Sequence, residues 1–452
     1  MTKAGRLWTW LRCVVLLGSA IALSSNARTA AQDAVERLPS TAVAEPPAVL
    51  LPGSLSLADF EQHALVNHPG LMQARARVGA ARGSWIQAGL YPNPFVGYEA
   101  EEMGSEGSAG KQGMRFGQEF VTAGKLDLAR ATACQEIVRA QQELAAQQFR
   151  VLTDVRTSYY RALVAQRRVE LTDRLVQVAE QGLTTAEALL KAQEASRVDL
   201  LQTRVQRNTT RILAENARHD ARAAWQMLTA VAAWPDRPPQ PLSGEPTPGE
   251  PLSWEESLSR LISQSPEMAA ADASLQQARW NVQLQCARRY PNVDTAARVQ
   301  QDTAENRVIA GVEVGLALPL FDRNQGNILR AESEVVAAQR NIERLELALQ
   351  ARLAEAFREY SSARTTVEQY RDLILPDAGS ALELVATAYR QGEVGYLDLL
   401  TAQRTYFESN LLYLDALLEL KTAEMSIEGL LLRGALEVDV ATTSALVGPR
   451  EE

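Results

Sequence analysis

The sequence has 452 residues, 46% of them hydrophobic and 22% charged, and a formal net charge of -9. With no basic block or basic-aromatic stripe to neutralise phosphates, that balance excludes a general nucleic-acid binder. Past the first 31 residues no uninterrupted apolar run approaches the ~20 residues of a membrane-spanning helix, which excludes a helical anchor.

Residues 1–31 read as a secretory signal. Lys3, Arg6 and Arg12 form a positive start, and Cys13 to Leu23 form an apolar stretch too short to span a bilayer. Small residues follow at Ala27, Ala30 and Ala31, so cleavage is expected between 27 and 31. An N-terminal extended segment occupies 32–54. Cys134 and Cys286 are the cysteines the exported chain keeps, either as two buried small residues or as a disulfide or ligand pair.

From Leu57 to Leu90 the pattern predicts one helix of about 34 residues, ended at Tyr91-Pro92 because the residue before proline is pushed out of the helical region. The periodicity then becomes two-fold. Strands are predicted over 94–101 and 114–121, joined by the glycine-rich "GSEGSAGKQG" as a hairpin. Helix resumes from Lys125 to Leu190 with no proline and only Gly182, about 66 residues or ~100 Å. The chain turns at "KAQEASRVDLL" and returns over about 196–232. The two shorter helices together nearly match the long one, so they can stack end to end beside it.

A linker, 233–251, separates this unit from a second copy at 252–432, and a tail over 433–452 follows. Tyr91-Pro92-Asn93 recurs as Tyr290-Pro291-Asn292, and Asp199-Leu200-Leu201 recurs as Asp398-Leu399-Leu400, both 199 residues on. That period is far longer than a solenoid repeat, so each copy is a large structural unit. The second copy predicts strands over 293–300 and 308–318, a kink or interruption at Pro376, and an apolar stripe at Ile342, Leu345, Leu349, Leu353 and Ala356 for close helix packing.

Catalysis finds little support. His63, His68 and His219 are the only histidines, none begins a His-Glu-x-x-His motif, and no glycine loop cradles phosphate. The seven methionines are scattered rather than clustered as soft-metal ligands. The reading is of a chain that is not an enzyme and has no cofactor or resident metal.

The strands alternate apolar and polar residues over lengths that suit a transmembrane strand with lipid on one side and water on the other, although a half-solvated soluble sheet gives the same alternation. In the membrane reading Glu99, Arg298 and Glu313 face a lumen while Tyr98 and Val312 face lipid. Four strands cannot close a barrel, and open edges are not tolerated in lipid, so the chain must oligomerise.

The segments "LSLADFEQHALVNHPGL", "YPNPF", "GQEFVTAGKLDLARA", "LPLFDRNQGNILRAE" and "YRQGEVGYLDLLTAQ", in this order and spacing across about 55–432, resemble the TolC-type outer-membrane efflux proteins. "YPNP" followed by "QEFVTAGK" is most similar to their CzcC-like heavy-metal branch. The resemblance implies a mainly α chain with a membrane β-barrel. It implies duplicated protomers of long antiparallel helices plus four strands, closing as a homotrimer into a 12-stranded β-barrel and a long α-helical barrel. It implies an exit duct in the outer membrane of a Gram-negative-type bacterium, extending into the periplasm. The partners would be a periplasmic adaptor (membrane fusion protein) and an inner-membrane pump of the RND type, with metal cations among the candidate substrates. The alternatives are a non-conducting periplasmic coiled-coil scaffold or adaptor, and the exit duct of a type I secretion system.

The turns farthest from the strands, at 191–198 with Ser196 and Arg197 and at 390–397 with Gly392 and Gly395, are the expected adaptor-docking sites, their glycines permitting a tight turn and close approach. By resemblance, Asp199, Asp398 and Tyr389 narrow the periplasmic aperture. Val394 and Thr401 stand where other members carry further polar lock residues. Ser196-x-x-Asp199 and Gly395-x-x-Asp398 also read simply as helix N-terminal capping boxes, so capping alone is the competing role for both acids.

Overall fold

The computed structural model describes residues 54–437 apart from 105–108, 192–195 and 392. The expected signal, nearly all of the 32–54 segment, the tail from 438 and Gly392 lie outside the described residues. In chain order come α1 (Leu57–Asn67), α2 (Pro69–Ala88), β1 (Phe95–Glu101), β2 (Lys111–Phe120), α3 (Lys125–Lys191) and α4 (Arg197–Val231). The second copy supplies α5 (Trp254–Gln264), α6 (Pro266–Ala287), β3 (Val293–Asp302), β4 (Arg307–Leu316), α7 (Gln325–Gln369), α8 (Leu375–Gln391) and α9 (Tyr396–Glu428).

The single helix expected over 57–90 is two helices. Pro69 forces its predecessor out of the helical region: His68 is extended, with φ -67 and ψ 123, and Pro69 takes the first position of α2. His68 then caps the new helix, its Nδ1 accepting from the Gly70 N–H at 3.1 Å. Burial holds the His68 pKa below the ordinary histidine value, which keeps the ring neutral and its lone pair available. Ser265-Pro266 repeats the break in the second copy, with Ser265 Oγ accepting from the Met268 N–H at 3.5 Å.

Helix α3 runs unbroken for 67 residues, roughly 100 Å at 1.5 Å per residue. Near its midpoint α1 and the end of α4 meet, where Phe60 packs edge-on against Tyr159 at 5.9 Å and Trp225 at 6.0 Å. From there α2 lies along the sheet-side part of α3 and α4 along the remainder, so the short helices stack end to end beside the long one. Phe60, Leu71, Val151, Val155 and Leu228 are fully buried around this junction, each stabilising the fold by roughly 1.5–3 kcal/mol. The second copy builds an equivalent belt from Leu349, Leu353, Tyr360 and Leu420, with Trp254 edge-on to Phe357 at 5.6 Å.

The interruption at Pro376 takes the form of a π-helical turn, Tyr370–Ile374, directly before α8. Proline offers no N–H to the preceding turn and its ring crowds the carbonyl there; a wider turn absorbs both. Helix α7, the π turn and α8 have 45, 5 and 17 residues, together the 67 of α3. After α9 a short strap returns to the first copy. The Asp154 carboxylate accepts from the Gly434 and Ala435 N–H groups at 3.0 and 2.6 Å, and Gln147 Nε2 donates to the Ala435 carbonyl at 3.1 Å. Burial raises the Asp154 pKa above the ordinary carboxylate value despite those two donors, and it lowers that of the neighbouring Arg433. Neither expectation for the cysteines holds in full: Cys134 is exposed on α3, Cys286 is half-buried on α6, and both are free thiols.

Candidate functional site

The strands form one antiparallel sheet in the order β1-β2-β3-β4. The central pair, β2 with β3, joins the two copies, Met114 opposite Val299 and Phe116 opposite Ala297. Strand β2 begins at Lys111, three residues ahead of the expected start, because Lys111 lies opposite Glu101 and its Nζ reaches Glu102 at 2.6 Å. Close approach explains the glycine within this extension. A Cβ on Gly113 would lie 2.0 Å from the Val299 carbonyl oxygen.

The register sorts the side chains onto two faces. Val96, Tyr98, Met114, Phe116, Val299, Val308, Val312 and Val314 share one face. It is uncovered: Val312 is 82% exposed, Val308 68% and Tyr98 65%. The other face carries Glu99, Glu101, Lys111, Arg115, Glu119, Asp294, Arg298, Asp302 and Glu313, interleaved with glycines. Glu99, Arg298 and Glu313 therefore share the polar face and Tyr98 and Val312 the apolar one. Arg115, which the sequence reading passed over, joins the polar face and contacts Glu313 Oε2 at 3.3 Å. The even spacing of Met114, Phe116 and Phe120 was the signal that would have placed it.

The repeated Tyr-Pro-Asn motif sits where helices meet sheet. Asn292 Oδ1 accepts from Lys125 Nζ at 2.5 Å, Asn292 Nδ2 donates to Glu119 at 2.6 Å, and the Pro291 carbonyl accepts from Thr122 Oγ1 at 2.6 Å. In the first copy the Pro92 carbonyl accepts from Gln118 Nε2 at 2.9 Å. Proline ends the regular helix and Asn292 ties the entry of β3 to the exit of β2, so the two copies are locked together at this level.

At the opposite end, Ser196 and Asp199 form a complete capping box: Asp199 N donates to Ser196 Oγ at 3.2 Å, and Ser196 N donates to Asp199 Oδ2 at 2.9 Å. Its duplicate is half a box. Gly395 N donates to Asp398 Oδ2 at 3.1 Å, but glycine has no side chain to return the bond. Gly395 has φ -76 and ψ 161, a conformation open to any residue, and a Cβ there would meet Asp398 Oδ2 at an ordinary 3.5 Å. The turn itself therefore does not require glycine at 395. Arg197 is exposed at the first position of α4, and Tyr389 is half-buried in the last turn of α8. Thr203 and Gln206 on α4, Leu400 and Gln403 on α9, and Leu175 and Val178 on α3 line one small cleft, so Asp199 and Asp398 each start a helix within about one turn of the same place.

Among the described residues no three His, Cys, Asp or Glu side chains gather as metal ligands, and no helix is long and apolar enough to cross a membrane. The outer membrane efflux protein family model matches residues 61–233 and 257–431, one stretch in each copy. The chain belongs to this family. It is the outer-membrane channel component of a tripartite efflux system, located in the outer membrane, extending into the periplasm and working with a periplasmic adaptor and an inner-membrane pump. This efflux protein is 28% identical over 383 residues to the cobalt-zinc-cadmium resistance protein CzcC of Cupriavidus metallidurans, covering 84% of this chain and 90% of that one. It is 24% identical over 409 residues to the pyoverdine export outer membrane protein OpmQ of Pseudomonas aeruginosa, covering 82% and 83%. A crystal structure of a membrane protein from Pseudomonas aeruginosa superposes with a TM-score of 0.71 at 19% identity, over 87% of this chain and 98% of that one.

Proposed function

We propose that three copies close edge to edge, β4 of one against β1 of the next, into a twelve-stranded barrel that conducts metal cations outward. The observation that carries this reading is the sheet: two unpaired edges beside an exposed apolar face cannot stand in lipid, and closure on identical copies satisfies both. Val312 and Tyr98 then face lipid while Glu99, Arg298 and Glu313 line water. The long helices continue the pore as a helical barrel, ending at the turns that bear Asp199 and Asp398, with Tyr389 just inside. Each acid becomes a ring of three, a constriction that concentrates positive solutes.

The turns are the docking surface for the adaptor, with Ser196, Arg197 and Gly395 in contact, and the pump is of the RND type. A glycine at 395 that its own turn does not need supports close approach by a partner backbone. Likeness to CzcC favours metal cations as cargo. The chain conducts its cargo without converting it. Mass measurement of the full-length protein in mild detergent tests the closure: a three-chain species with cation conductance in planar bilayers is expected, and a monomeric mass overturns the barrel.

A further inference from the structure

The two repeats meet inside one chain, and the edges they leave unpaired are built alike. The hairpins coincide strand for strand: Gly97 opposite Arg115 recurs as Ala296 opposite Glu313, and Gly113 and Gly117 recur as Gly311 and Gly315. The turns into the long helices coincide too, each ending on a left-handed residue, Gly124 with φ 64 and Asn324 with φ 60. At the internal seam β2 pairs with β3, Met114 opposite Val299 and Gln118 opposite Thr295. The second Tyr-Pro-Asn motif closes that seam from below. Lys125 Nζ donates to the Tyr290 carbonyl and to Asn292 Oδ1, both at 2.5 Å, and Thr122 Oγ1 donates to the Pro291 carbonyl at 2.6 Å. The first motif makes no such contact with the other repeat. Its Pro92 carbonyl is taken by Gln118 of its own copy, Tyr91 is 70% exposed, and among the described residues the Asn93 amide has no hydrogen-bond partner. At the other edge Phe321 is 92% exposed. Arg323, the one cation between the end of β4 and the start of α7, has an exposed guanidinium with no partner among the described residues.

We propose that β4 docks on β1 of a second copy in the register of the internal seam, with the partner's Asn93 held by Arg323 as Asn292 is held by Lys125. This rests on the closed barrel argued above. Carrying the pairing of β2 with β3 over to the outer edges sets Leu316 opposite the partner's Val96, Val314 opposite the partner's Tyr98 and Val312 opposite the partner's Ala100. All six stay on the apolar face, whereas a slip of one residue would set apolar against polar. Closure selects among the even slips. In the proposed register each repeat is displaced by about two residues, so the six repeats accumulate ~12 residues of ~3.3 Å over twelve spacings of ~4.8 Å, a strand tilt of ~35°. Slips of two residues either way give ~19° or ~46°, outside the ~35–45° typical of barrels. The register also gives the facing arginines a counterpart. Arg115 opposite Arg298 alternates around the barrel with Glu313 opposite the partner's Glu99, and Arg115 Nη2 already reaches Glu313 Oε2 at 3.3 Å. Like charges facing one another destabilise a sheet, and the alternation sets each such pair beside one of opposite sign.

The test is oxidative crosslinking of the full-length protein in outer membranes, with C134S and C286S removing the two free thiols. Within one chain β1 and β4 lie three strand spacings apart, ~14 Å, too far for a disulfide, so every crosslink reports on a neighbouring copy. A100C/V312C is expected to run as a covalent three-chain species on a non-reducing gel. The slipped pairs A100C/A310C and A100C/V314C are expected to give roughly fivefold less. Crosslinking that peaks at a slipped pair, or at no pair while the three-chain mass persists, overturns the register and leaves the barrel standing. A monomeric mass without crosslinks removes the barrel, and this inference with it. The lock is read separately, from the dissociation temperature of the three-chain species. N93A and R323A are each expected to lower it, and N93A/R323A to lower it no further than the larger single effect, as for two residues that share one contact. Additive losses, or no loss from either single variant, overturn the contact between Arg323 and the partner's Asn93.

Discussion

Asp398 has one observed role and one proposed role, and a single substitution separates them. Its Oδ2 accepts from the Gly395 N–H at 3.1 Å and so caps α9, while its charge stands at the proposed aperture. Asp398→Asn keeps the size and a carbonyl oxygen for the cap but removes the charge. The expected outcome is reduced cation selectivity of the reconstituted pore with little change in melting temperature. Unchanged selectivity together with a clear loss of stability identifies Asp398 as a cap alone. At the same scale, the sequence reading found the acids because serine or glycine three residues before an aspartate is a local signal. It missed the capping role of His68, although Pro69 stood in the very segment taken as helix. Proline dictates an N-terminus, and the residue before it must then serve the first free N–H groups.

The strand is the element whose alternation is put to mechanical use. Register places Val312, 82% exposed, on the apolar face and its neighbour Glu313 on the polar one. Val312→Arg is expected to impair membrane assembly at a cost of roughly 2–4 kcal/mol near the bilayer midplane. Glu313→Gln is expected to assemble as wild type, since its contact with Arg115 is exposed and weak. The check is the yield of heat-resistant oligomer from outer membranes, and equal yields from the two variants refute the assignment of faces. Helices show the same division between legible and hidden. The unbroken span of α3 followed from the absence of proline, whereas the conversion of the Pro376 break into a π turn did not. A π turn is a compromise between the proline and the packing of flanking helices on both sides, and only the second of these lies beyond local sequence.

At the scale of the molecule, the turns lie a long helix away from the sheet, roughly 100 Å by the rise of α3, so the proposed docking at the turns and the proposed insertion of the sheet can be tested by separate substitutions. Gly395→Phe is expected to abolish site-specific crosslinking to the adaptor while the three-chain assembly persists, because φ -76 and ψ 161 are allowed to any residue. Crosslinking at the wild-type level places the adaptor elsewhere. The duplication also explains why the copies are interlocked rather than merely adjacent. Strand β2 of one pairs with β3 of the other, Asn292 of the second holds Lys125 of the first, and Asp154 on α3 clamps the strap that follows α9.

The sequence by itself determined the duplicated plan, the helix and strand classes, the capped turns and the two-faced strands, because each follows from periodicity, proline placement or an offset that recurs at 199 residues. Tertiary structure alone decided the pairing of β2 with β3, and with it the facing of Arg115 and Arg298, the meeting of Phe60 with Tyr159 and Trp225, and the exposure of Cys134. The difference is physical. Periodicity reports which way a residue points along its own element, but a contact between elements far apart in the chain depends on register and stacking, which emerge when the whole assembly of faces is packed at once.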